Sequence, residues 1–282
     1  MKRDRPTPAA ASPWQQRPSG ARPRVPEGEP MPRAGERNAE TRLYGLNACL
    51  AAFAHRPTAL RKVYLVQARI PALQQVLAWC VSHRLGYRVV EAADLDRLTA
   101  SRHHEGVCFD LVRSAPLTLS DLLAATPPNP APALLLWLDG VGNPHNLGAL
   151  LRSAAHFGVC GVVTPPAIEV SGAAARVAEG AAEIVPLAHA DAAAPALAAL
   201  RAQGYAIAAT VPRDGAALYA TPLPARLVLV FGAEGEGMSQ ALIDAADLRL
   251  TIPGSGTVES LNVAASVAVV LGEYWRTHVA LG

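Results

Sequence analysis

The C-terminal half of the chain is a series of short apolar runs separated by stretches with helical spacing. The runs are residues 133–138, 161–164, 183–187, 205–211, 227–231 and 248–252. Each is too short for a helix and lacks strict polar alternation, the signature of strands covered on both faces. Between and after them, helices are expected at 146–157, 172–180, 191–203, 239–246 and 260–276. Strands alternating with helices in this way predict a mostly parallel sheet with helices on both faces.

The stretch before it has a different rhythm. Residues 45–53 read as a helix and 62–66 as a strand. Pro71 through Ser82 form an amphipathic helix with Leu73, Val76, Leu77 and Cys80 on one stripe. Strands at 88–91 and 106–112 flank a short helix at 93–98. This predicts a small separate α/β domain over 42–113. A Pro- and Ala-rich connection, 114–132, leads to the larger domain, 133–282. Residues 1–41 carry prolines and arginines and almost no large aliphatic side chains, so a disordered basic tail is expected.

Composition sharpens this division. The chain of 282 residues has a net charge of only +2. Residues 1–113 hold 18 basic and 10 acidic side chains, whereas 114–282 hold 7 and 13, so the front is +8 and the back −6. A basic front end suits phosphates, although a solvated surface with no partner would look the same. No apolar stretch reaches the ~18–20 residues that span a bilayer, and the N-terminus has no apolar signal core. Cys49, Cys80, Cys108 and Cys160 are dispersed, which favours buried reduced thiols over disulfides or zinc. A cytoplasmic protein with no membrane and no metal is therefore expected. The tandem His103-His104, with no third ligand nearby, reads as a turn at a strand entrance.

Three polar islands interrupt the apolar half at the edges of predicted strands and helices. The first is Asn143-Pro-His-Asn-Leu-Gly-Ala-Leu-Leu-Arg152. Asn146 can cap the helix that follows, and Leu147, Leu150, Leu151 and Ala154 mark its buried stripe. Gly148 and Arg152 share an adjoining stripe, where a glycine lets backbone or substrate come close. The second island is Phe231-Gly-Ala-Glu-Gly-Glu-Gly-Met238. Its glycines are spaced G-x-x-G-x-G, unlike a dinucleotide fingerprint, and its two glutamates would repel a pyrophosphate. The third is Ile252-Pro253 followed by Glu259-Ser-Leu-Asn262, with Ser260 a good N-cap. Asn262 and Ser266 fall one turn apart on a nearly apolar helix. A buried amide needs a partner, so this stripe should face a ligand or another helix.

In this order and spacing the islands resemble the three motifs of the SpoU (TrmH-like) RNA ribose 2′-O-methyltransferases of the SPOUT class. The resemblance covers about 134–276, with a looser likeness over 42–113. The front part, opening at Tyr44-Gly-Leu-Asn and closing at Arg102-His-His-Glu-Gly-Val-Cys, looks like the substrate-binding domain that precedes many such catalytic domains. The resemblance implies a deep trefoil knot in the C-terminal domain, which periodicity alone cannot reveal, and a ribosomal-protein-like fold in front. It also implies S-adenosylmethionine (AdoMet) as cofactor, rRNA or tRNA as partner and a homodimer.

By the same match Arg152 is the catalytic residue. A guanidinium stays protonated, which casts Arg152 as an electrostatic stabiliser of the 2′-oxyanion. Glu234 would order the motif loops, with Asn146, Ser260 and Asn262 completing the catalytic set. Gly232, Ile252 and Leu261 would hold AdoMet through their backbones. AdoMet has no phosphate and a cationic sulfonium, so an acidic loop suits it. Two other readings stay open: a catalytically silent RNA-binding or ribosome-assembly factor on the same fold, and base rather than ribose methylation.

Overall fold

The computed structural model describes residues 40–279. The tail expected over 1–41 lies, but for its last two residues, outside them. Those two, Glu40 and Thr41, already belong to a strand: β1 (Glu40–Tyr44) is followed by α1 (Leu46–His55), β2 (Leu60–Leu65), α2 (Gln74–Ser82), β3 (Gly86–Val89), α3 (Ala92–Thr99) and β4 (Val107–Val112). The four strands form a mixed sheet ordered β1-β4-β2-β3. β1 was not anticipated; it pairs antiparallel with β4, Tyr44 opposite Cys108. The expected helix from Pro71 begins as a 3-10 turn through Leu73 before α2 takes over. As its spacing implied, Leu73, Val76 and Cys80 are buried.

The larger part runs β5 (Leu117–Thr118), α4 (Leu119–Ala125), β6 (Ala133–Asp139), α5 (Pro144–His156), β7 (Gly161–Thr164), α6 (Gly172–Val177), β8 (Leu187–His189), α7 (Ala193–Ala202), β9 (Ala206–Thr210), β10 (Ala216–Ala217), β11 (Arg226–Gly232), α8 (Gln240–Ala245), β12 (Leu248–Thr251) and α9 (Val263–His278). Its eight strands are ordered β10-β12-β9-β11-β6-β7-β8-β5. Every pairing in the sheet is parallel. Alternate residues of the central strands feed two cores. Leu134, Leu136 and Leu138 of β6 meet α5, α6 and α9 on one face. Leu135 and Trp137 meet α4, α7 and α8 on the other.

Several stretches of this part depart from the sequence pattern. The stretch expected to be a linker, 114–132, contains β5 and α4. Thr118 caps α4 by accepting from the Asp121 N–H at 3.1 Å, and Leu122 is fully buried. The run 183–187 is not a strand: a 3-10 turn covers Ala181–Glu183, and β8 starts only after Pro186, which lacks the N–H a ladder needs.

The small sheet does not hang free from the large one. Ala175 of α6 is part of the apolar cluster built from α1, α2, β2 and β4, with Val170 and Ala182 packed against it. Glycines permit the close approach. A Cβ at Gly172 would stand 2.4 Å from the Arg42 carbonyl oxygen, and one at Gly45 2.7 Å from Arg176 Cγ. Around this contact Arg56 grips Glu183 with two nitrogens, at 2.6 and 2.7 Å, and donates to the Val112 carbonyl at 2.8 Å.

Candidate active site

Strands β6, β11 and β12 all release the chain at the same edge of the parallel sheet, so the three polar islands leave from one rim. β6 and β11 are neighbours, with Asp139 opposite Gly232. From β6 the chain steps outward through β7 and β8, then returns to the other side for β9 to β12. Crevices at such a reversal of strand order are where open α/β sheets bind ligands.

The first island opens α5, but its cap is Asn143 rather than Asn146. Asn143 Oδ1 accepts from the His145 and Asn146 amides at 2.9 and 3.4 Å. Pro144 occupies the first helical position, where its missing N–H costs nothing. An Asn followed by Pro was the signal that places this cap. The Asn146 side chain turns instead to the third island, where its Oδ1 accepts from Asn262 Nδ2 at 3.0 Å. Gly148 is fully enclosed, and a Cβ there would stand 2.4 Å from the Ala174 carbonyl oxygen, so it serves α6 rather than substrate. Arg152 is exposed on the solvent side of α5. Among the described residues it is engaged in no ion pair.

The second island is a tight turn. Ala233 and Gly237 exchange two backbone hydrogen bonds, at 3.0 and 2.9 Å. Gly235 and Gly237 adopt φ of 85° and 76°, a region glycine enters without strain. A Cβ on Gly232 would meet Gly237 C and Met238 N at 2.3 Å, so Gly232 is required by its own loop folding back. Glu234 sits in the turn. Its Oε1 accepts from Asn262 Nδ2 at 2.6 Å and from the Val263 N–H at 3.3 Å. Glu236 is exposed, as expected of a solvated loop charge.

The third island stays irregular further than its sequence suggested. Ser260 does not cap a helix; residues 253–262 form an exposed loop, and α9 begins at Val263. The cap is Asn262, whose Oδ1 accepts from the Ala264 and Ala265 amides at 2.9 and 3.4 Å. Asn262 is therefore not a buried polar group on a helix stripe. It is an exposed cap with both ends of its amide used. Ser266 lies half-buried one turn on. Ile252 is half-buried against the main core. Leu261 is 47% exposed and Val258 70%. Arg213 reaches Glu259 at 3.2 Å, linking this loop to the end of β9.

Glu234, Asn262 and Asn146, one from each island, thus form one hydrogen-bonded junction. Ser260 and Arg152 are not part of it. The backbone around the junction is open, with nothing within 4 Å of where a Cβ would stand on Gly235, Gly237, Gly254 or Gly256. A ligand could approach these peptide groups directly. Two residues with contacts here were not singled out by sequence: Asp139, which accepts from the Ser239 N–H at 2.7 Å, and Asn143.

Two clefts lie elsewhere. One of 460 Å³ separates the two sheets and is lined by Arg56, Arg113, Leu151, Glu169 and Glu183 among others. Another of 500 Å³ lies on the small domain beside Arg42, Tyr64, Arg88 and Arg97. Of the histidine pair, His104 is structural and His103 is exposed. His104 is buried, pairs with Asp96 at 3.2 Å and accepts from the Gly106 N–H at 2.9 Å. Among the described residues no group of three metal-ligating side chains occurs, and no helix is long and apolar enough to cross a membrane.

Residues 133–272 match the SpoU rRNA Methylase family, and residues 42–116 match a domain described as RNA 2′-O ribose methyltransferase substrate binding. The chain is 40% identical to the uncharacterized tRNA/rRNA methyltransferase YfiF of Escherichia coli O157:H7, over 87% of this chain and 70% of that protein. It is 36% identical to the 23S rRNA (guanosine-2′-O-)-methyltransferase RlmB of Pasteurella multocida, over 84% of this chain and 98% of that one. In three dimensions it resembles the SpoU methyltransferase AviRb of Streptomyces viridochromogenes, solved in complex with the cofactor AdoMet. That likeness has a TM-score of 0.70 at 19% identity, over 86% of this chain and 91% of the other, and speaks to fold.

Proposed function

The chain belongs to the SpoU rRNA methylase family, and from that premise we propose that it transfers a methyl group from AdoMet to a ribose 2′-hydroxyl of rRNA or tRNA. The observation that carries this reading is the junction of Glu234, Asn262 and Asn146, which draws the three motif loops together at the rim of the sheet.

The loops suit AdoMet. Their backbone is uncovered at four glycines, they hold an acidic side chain, and exposed Leu261 and Val258 offer apolar surface to an adenosine. Gly232, Ile252 and Leu261 would hold the cofactor, and bound AdoMet supplies an electrophilic sulfonium methyl. The chain's own residues do the rest. Glu234 keeps the second loop against α9 through Asn262 and the Val263 N–H. Asn146 ties the start of α5 to the same point, which orients the helix carrying Arg152. Arg152 contributes a positive charge that favours the 2′-oxygen as its proton passes to solvent, and Ser260 and Asn262 help position the ribose. Holding reacting groups in line removes several kcal/mol from a barrier, and charge aimed at a developing oxyanion adds to it.

The same reading extends to the assembly. Residues 42–113, basic and matching the substrate-binding domain, recruit the RNA, and 133–282 perform the chemistry. The catalytic domain threads a deep trefoil knot and pairs as a homodimer in the cytoplasm; exposed Trp275 and Val279 at the C-terminal end of α9 offer apolar contact area. The test is methyl transfer from labelled AdoMet to total RNA, followed by digestion to nucleosides. Label in 2′-O-methylnucleosides supports the proposal, and label confined to bases, or none, refutes it.

A further inference from the structure

β6 is six buried residues ending in one half-buried carboxylate, Asp139. Asp139 Oδ2 accepts from the Ser239 N–H at 2.7 Å, and among the described residues that amide has no other acceptor. Next to it, Gly140 takes φ of 78°, and a Cβ there would stand 3.3 Å from Ala233 Cβ. The turn 233–238 therefore starts beside the end of β6, where Ala233 leaves little room for a side chain at position 140, and is tied to it at its far end by the Ser239–Asp139 bond. Between these anchors the turn is closed by its own Ala233–Gly237 pair and carries Glu234 toward Asn262. A charge-assisted bond from a sheet end to a loop amide is a strong anchor, and this one sits five residues from Glu234.

We propose that Asp139 is a positioning residue: through the Ser239 N–H it sets the turn 233–238, and thereby the Glu234–Asn262–Asn146 junction. Asp139 touches no reacting group in this scheme. Its kinetic consequence rests on the methyl transfer proposed above; its effect on loop order does not.

The experiment uses the full chain with Asp139→Ala, Asp139→Asn and Ser239→Pro. Ser239 has φ of −59°, which proline adopts, so that variant deletes the donor while sparing the carboxylate. Hydrogen exchange of the Ala233, Gly237 and Val263 amides reports the loop directly. RNA methylation is measured alongside as kcat and KM. Asp139→Ala and Ser239→Pro should each speed exchange at these amides and lower kcat about 10–100-fold, with KM for RNA little changed. The pair combined should be no worse than either alone. Asp139→Asn should recover most of the loss, because an amide oxygen still accepts. Wild-type exchange in both Asp139→Ala and Ser239→Pro, or losses that multiply in the combined variant, would overturn the proposal. Should one variant fail to fold, the other reads the same bond. A wild-type chain inactive on RNA would refute the methyltransferase assignment and leave the exchange result to decide Asp139.

Discussion

The Asn262 side chain donates to Glu234 Oε1 at 2.6 Å. The same nitrogen reaches Asn146 Oδ1 at 3.0 Å, while the oxygen caps α9. A single amide therefore starts the last helix and gathers the other two motif loops. No other residue type offers two donors and an acceptor on so short a stem.

Asn262→Ser should separate the two duties. Serine caps a helix about as well as asparagine, so thermal stability should stay close to wild type, while turnover falls because no donor reaches Glu234 and Asn146. Asn262→Ala should lose both, with a stability cost of ~0.5–2 kcal/mol. Thermal unfolding and methyl transfer on the two variants check this. Equal turnover in Asn262→Ser and wild type would dismiss the junction.

Arg152→Ala should lower methyl transfer by ~10²–10³, the usual cost of removing one charge aimed at a developing oxyanion. AdoMet affinity should hardly change, since the charge of Arg152 is assigned to the ribose oxygen rather than to the cofactor. Calorimetry and single-turnover rates measure the two separately. Near-normal turnover would remove Arg152 from the mechanism.

Much of this site was legible in the sequence, because each island is a polar interruption at the end of an apolar strand. That contrast located Asn146, Glu234 and Asn262 before any contact was known. What stayed hidden were contacts at long sequence separation. Nothing local says that Asp139 holds the Ser239 amide, 100 residues away. Nor does spacing say that Asn262 spends its amide on two other loops, so Ser260, equally fit to cap, was the wrong choice for the helix start. Asn143 was different: Asn-Pro is a local cap signature, and it was there to be used. β5 and α4 were obscured by the prolines around them, which mark only the ends of that stretch.

The small sheet and its helices pack on Ala175 of α6, with Val170 and Ala182, a contact that the Pro-rich spacer concealed. Arg56→Ala should therefore cost about 1.5–3 kcal/mol, the range for hydrogen bonds to charged groups, even though Arg56 lies far in sequence from the catalytic domain. A fragment of 114–282 would leave Ala175, Val170 and Ala182 uncovered, and its melting temperature should fall below that of the full chain. Denaturant titration of Arg56→Ala and thermal scans of the fragment test both. Unchanged stability in each case would mean that the contact contributes nothing.

The cysteines should differ sharply in reactivity. Burial pushes the Cys108 thiol up to about 12 and holds Cys49 well above its ordinary range, with Cys80 raised for the same reason. Only Cys160 is partly exposed. A thiolate-seeking reagent near neutral pH should modify Cys160 first and the other three only on unfolding. Peptide mapping after brief labelling shows the order, and early modification of Cys108 would contradict the buried core of the small domain.

The most direct test is a map of 2′-O-methylated ribose in rRNA and tRNA from cells lacking this protein, compared with cells carrying the wild-type chain or Arg152→Ala. One or a few ribose methyl groups should disappear in the deletion, return with the wild-type chain and stay absent with Arg152→Ala. An unchanged ribose map, or the loss of a base methyl group instead, would show that this chain does not methylate a ribose.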